Sequence, residues 1–123
     1  VDVGWDLIAV DDSLCFAGSR QIAAALDALV ALGAARDRAD NPLLDRQIAD
    51  VEPQGIRCWV HTEDFADDVF TPAEIAETLS VWDAADRDRR TQAASAGNVS
   101  LEILEAFIGF LRAAAAHGGV KPA

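Results

Sequence analysis

Residues 100–117 read SLEILEAFIGFLRAAAAH, and this stretch sets the architecture of the whole chain. Helical spacing puts Glu102, Glu105, Gly109 and Arg112 at i, i+3, i+7 and i+10, one narrow stripe. Leu101, Ile103, Leu104, Phe107, Ile108, Phe110 and Leu111 take the rest of the circumference. A helix at the edge of a domain has one apolar stripe, whereas one that is apolar nearly all round must be covered on several sides. At its helical rise it spans about 27 Å, the diameter of a small domain. The other elements are expected to pack around it, or a second copy of the chain to cover part of it as a homo-oligomer. Ser100 is the expected N-cap, with Val99 and Leu104 placed as a hydrophobic staple.

The helix start before it is marked even more clearly. Thr71 and Glu74 have capping-box spacing, Pro72 takes the first helical position, and Phe70 with Ile75 makes a second staple. Ile75, Ala76, Leu79 and Trp82 form the expected core face. From 83 to 92 the chain is polar on every face, which predicts solvated or frayed helix. Residues 93–98 read as a small-residue linker.

Nearer the N-terminus, Val3, Trp5, Leu7 and Ala9 alternate with Gly4, Asp6, Ile8 and Val10, the period of a strand. Asp11, Asp12 and Ser13 supply turn chemistry, because their side chains bond nearby amides. Leu14, Cys15 and Phe16 then return as the second arm of a hairpin. Ser19 is the expected cap of a helix whose face is Ile22, Leu26, Leu29 and Val30, closed by Gly33. Residues 34–40 read as loop or a frayed turn. Asn41 and Pro42 start another helix, with Leu44, Ile48 and Val51 buried and Pro53, Gln54 and Gly55 ending it. Residues 56–61 alternate as a strand, Ile56, Cys58 and Val60 on one face and Arg57, Trp59 and His61 on the other. Gly118 and Gly119 close the last helix, and 120–123 read as a tail.

This order predicts an α+β fold: a small antiparallel sheet of two to three strands packed against about four helices, with the C-terminal helix central. The chain, 1–123, reads as a single globular domain, long enough to bury a core without metal or disulfide staples. A minimal doubly wound sheet is the alternative, and it needs more parallel strands than the sequence offers.

A formal net charge of −11 weighs against nucleic acid as a partner, since phosphate contacts depend on clustered Lys and Arg. No apolar run approaches the roughly 18 residues that a membrane helix needs. The Ala, Asp and Arg richness is what a GC-rich, bacterial genome writes. Cys15 and Cys58 read as reduced, packing thiols, and with no signal-peptide pattern in view the expected compartment is the cytoplasm.

The chemistry-bearing candidates are few. Glu63, Asp64, Asp67 and Asp68 beside His61 have hard-cation donors but not the spacing of a calcium loop, so no metal and no cofactor is expected. Cys58 and His61 lie three apart on a strand, on opposite faces, which separates a nucleophile from its base. Ala17, Gly18, Ser19 and Arg20 lack the Lys and second Gly of a phosphate loop. Asp11 and Asp12 are explained by a turn, and His117 by the dipole at a helix C-terminus. Arg57, Trp59 and His61 on one strand face make a candidate anchor for a partner, since Trp and Arg dominate hot spots.

The sequence therefore points to an acidic, non-enzymatic protein-binding module that meets a basic partner, most concretely an immunity-type or inhibitor protein. Its expected contact residues are Asp11, Asp12, Arg57, Trp59, His61, Glu63, Asp64, Asp67 and Asp68. The alternatives are a small enzyme or ligand-binding protein using Cys58, His61 or Asp11, and a structural subunit of a larger assembly.

Overall fold

The fold comes from a computed structural model that describes residues 6–16, 18–36, 54–57 and 70–122. The expected helix from Asn41 and the strand residues beyond Arg57 lie outside these. Leu7–Ala9 (β1) and Cys15–Phe16 (β2) form the expected hairpin, paired antiparallel with Leu7 opposite Phe16 and Ile8 opposite Cys15. Alternation buries Leu7 and Ala9 and turns Ile8 outward, because successive side chains leave a strand on opposite faces. Asp12 takes a left-handed φ of 65° at the turn, a conformation Asp tolerates.

Ser19–Leu32 (α1) buries Ile22, Leu26, Leu29 and Val30 as the spacing predicts. Its N-cap, however, is Gly18 with φ 106°, one residue before the expected Ser19. Gly33 closes the helix at φ 84°, its N–H donating to the carbonyls of Leu29 and Val30. The chain beyond Gly33 is strand where loop was expected. Ala35–Arg36 (β3) pairs in parallel with Ile56–Arg57 (β4), Ala35 opposite Ile56 and Arg36 opposite Arg57. Two-residue strands carry too few positions to show a period, so only burial of Ala34 and Ala35 marks this one.

Pro72–Ala84 (α2) starts as its residues predict: Glu74 N–H donates to the Thr71 hydroxyl (3.2 Å) and Thr71 N–H to the Glu74 carboxylate (3.0 Å). Phe70, Ile75 and Trp82 are buried and Leu79 half-buried, but Ala76 is exposed and Thr78 takes the inner position instead. The polar stretch after α2 is ordered helix, Arg87–Ala96 (α3), capped by Asp86, which accepts the Arg89 N–H at 2.8 Å. The expected linker is in fact its last turn, with Ala93 and Ala94 buried. Alanines pack there because α1 comes so close: a Cβ on Gly97 would lie 2.5 Å from the Ala24 carbonyl oxygen and 2.8 Å from Ala28 Cα. Small residues at a helix crossing let the backbones approach, which a hydropathy pattern does not register.

Leu101–Ala115 (α4) is capped by Ser100, whose hydroxyl accepts the Ile103 N–H at 3.1 Å. Leu104, Phe107, Ile108, Phe110, Leu111 and Ala114 are buried, and α4 packs against α1, α2, α3, β1 and β2. Glu102, Glu105, Gly109 and Arg112 are exposed as expected, joined by Ala106 and Ala113, so the solvent stripe is wider than the sequence suggests. Phe16 sets its ring edge-on to Phe107 with centroids 5.2 Å apart. The expected tail is a strand: Val120–Pro122 (β5) joins the far edge of β1, completing a three-stranded antiparallel sheet in the order β2-β1-β5. Val120 also exchanges two backbone hydrogen bonds with Phe70, at 2.7 and 3.0 Å, tying the sheet to the start of α2. The architecture is a small α+β fold with α4 central.

Phe107→Ala should destabilise the fold by about 3–5 kcal/mol, the usual cost of emptying a buried aromatic site. Glu105→Ala should lie within about 0.5 kcal/mol of the parent. Urea unfolding distinguishes them, and equal costs would place the solvent stripe of α4 wrongly.

Candidate functional site

Of the expected contact residues, Asp11, Asp12 and Arg57 lie in the described part of the chain; Trp59, His61, Glu63, Asp64, Asp67 and Asp68 lie outside it. Asp11 and Asp12 sit together, exposed, on the β1–β2 turn, and each meets a side chain from beyond α4. His117 Nδ1 is 2.7 Å from Asp11, and Lys121 Nζ is 3.3 Å from Asp12. His117, expected only to complement a helix dipole, thus fastens the end of α4 to the hairpin. A contact between residues 106 apart leaves no trace in local sequence.

Ser13 donates both its N–H and its hydroxyl to Asp11, and these bonds, more than the imidazole, pull the Asp11 carboxyl down from 3.8 to about 2. Ser13 and His117 both address Asp11 and not one another, so Ser13 is not aligned for activation by the imidazole. The start of α1 is likewise served from within: Gly18 N–H donates to Asp6 at 3.3 Å. Cys15, expected to pack, is a free and exposed thiol, because Phe16 takes the inward position of β2. Cys58 lies outside the described residues.

Arg57 stands in the parallel pair, in a different sheet from the two aspartates. Its Nε donates to Glu74 at 2.7 Å, and the Nη2 of its register neighbour Arg36 donates to the same oxygen at 2.9 Å. Arg36 Nε also reaches the Gly55 carbonyl at 3.0 Å. The Glu74 side chain is 13% exposed, against 40% for Arg36 and 29% for Arg57. Burial pushes the Glu74 carboxyl up, but the Thr71 N–H and the Arg57 guanidinium outweigh it and leave the group below its ordinary range. Two more residues of α2 complete the junction. Glu77 accepts the Gly55 N–H at 3.0 Å, while buried Thr78 accepts the Ile56 N–H at 3.0 Å and donates to the Ala34 carbonyl at 2.7 Å. Local spacing reveals Glu74 as half of a capping box and hides its second role as counter-ion.

Among the described residues no group of three His, Cys, Asp or Glu side chains converges to hold a metal ion. No helix among them is long and apolar enough to cross a membrane. No protein-family model, no curated protein and no solved structure matches the chain.

Glu74→Ala should cost about 3 kcal/mol, since it removes the acceptor shared by two half-buried guanidiniums and half of a capping box. Urea unfolding measures it, and a loss under about 0.5 kcal/mol would reduce the cluster to surface ion pairs. Titration of Asp11 by NMR should give a midpoint near 2, and Ser13→Ala should raise it toward 3.8. With the folded value depressed, the contribution of Asp11 to stability is full above about pH 4 and is lost as pH falls through about 2. An Asp11 midpoint unchanged by Ser13→Ala would overturn that cause.

Proposed function

We propose that the protein is a non-enzymatic acidic binding module that docks on a basic protein surface in the cytoplasm, as an immunity-type or inhibitor protein does. The observation that carries this reading is the net charge of −11 on a chain of 123 residues. Fields of that size raise the rate at which a basic partner is met, and fix which partners are repelled. On the described surface the acidity includes Asp88 of α3 and Glu102 and Glu105 of α4, all exposed. Asp12 contributes less than a lone carboxylate would, because Lys121 stands against it, and Asp11 is engaged by Ser13 and His117. The main steering charge is therefore assigned to Glu63, Asp64, Asp67 and Asp68.

The test takes a partner captured on the immobilised protein at low salt and follows its association by stopped flow. The on-rate should fall as ionic strength rises from 0.01 to 0.15 M and the screening length shortens from about 30 to about 8 Å. Changing Glu63, Asp64, Asp67 and Asp68 to Gln or Asn should slow association and flatten the salt dependence, with dissociation little altered. Asp11→Asn with Asp12→Asn should slow it less. An on-rate indifferent to salt, or unchanged in the quadruple variant, would reject docking through this segment.

A further inference from the structure

We draw no further inference here: the strongest candidate, the exposed small-residue face of α4 through Ala106, Gly109 and Ala113, carries nothing because nothing in the structure shows what covers it.

Discussion

One carboxylate, that of Glu74, joins three separated pieces of chain. It completes the N-terminal cap of α2, and it takes a guanidinium from each strand of the parallel pair. Desolvating a carboxylate costs several kcal/mol, and only full use of its lone pairs makes the position tolerable. Here both oxygens are occupied: one by Arg36 and Arg57, the other by the N–H and hydroxyl of Thr71. One helical turn further on, Thr78 bridges the Ala34 carbonyl and the Ile56 N–H, so the same helix fixes both strands at the backbone as well. A two-stranded parallel pair this short has little stability of its own. It persists because α2 supplies the bonds its edge lacks.

What could be read from the sequence divides along physical lines. Two caps were legible because they act within four residues: Thr71 with Glu74, and Ser100 with Ile103, stand where local chemistry puts them, whereas Gly18 takes the place expected of Ser19 and caps without a side chain. The long amphipathic faces of α1 and α4 were legible because burial repeats over several turns. Three kinds of feature were not. The strands Ala35–Arg36 and Val120–Pro122 are shorter than any period. The last turn of α3 packs through alanine and glycine, whose importance is proximity, not hydrophobicity. Thr78 and Arg36 draw their roles from residues far along the chain, as does His117 from Asp11. Of the expected contact residues, the structure describes the two aspartates, on the turn between β1 and β2, and Arg57, in a strand of the other sheet.

The charge pattern shows how an acidic chain distributes its few cations. Arg36 and Arg57 serve Glu74, Arg112 serves Asp83 on the neighbouring helix at 2.8 Å, and Lys121 serves Asp12 on the hairpin turn. Arg90 lies over the Trp82 ring, 4.6 Å from its centroid, and donates to the Trp82 carbonyl. In each of these cases the cation joins elements that adjoin in space, so these five positive charges go to cohesion. The negative charge left over is what an approaching molecule meets first.

The pairing of β5 with β1 fixes when the sheet can be finished. During synthesis the hairpin of β1 and β2 is made before the helices, yet the partner for the other edge of β1 is made only after α4 is complete. Until then Leu7, Ile8 and Ala9 present an open row of backbone donors and acceptors, the kind of edge that other extended chains can add to. The nascent chain thus carries a window of vulnerability that lasts while the helices between β1 and β5 are made, and Val120 closes it against both β1 and Phe70 in a single step.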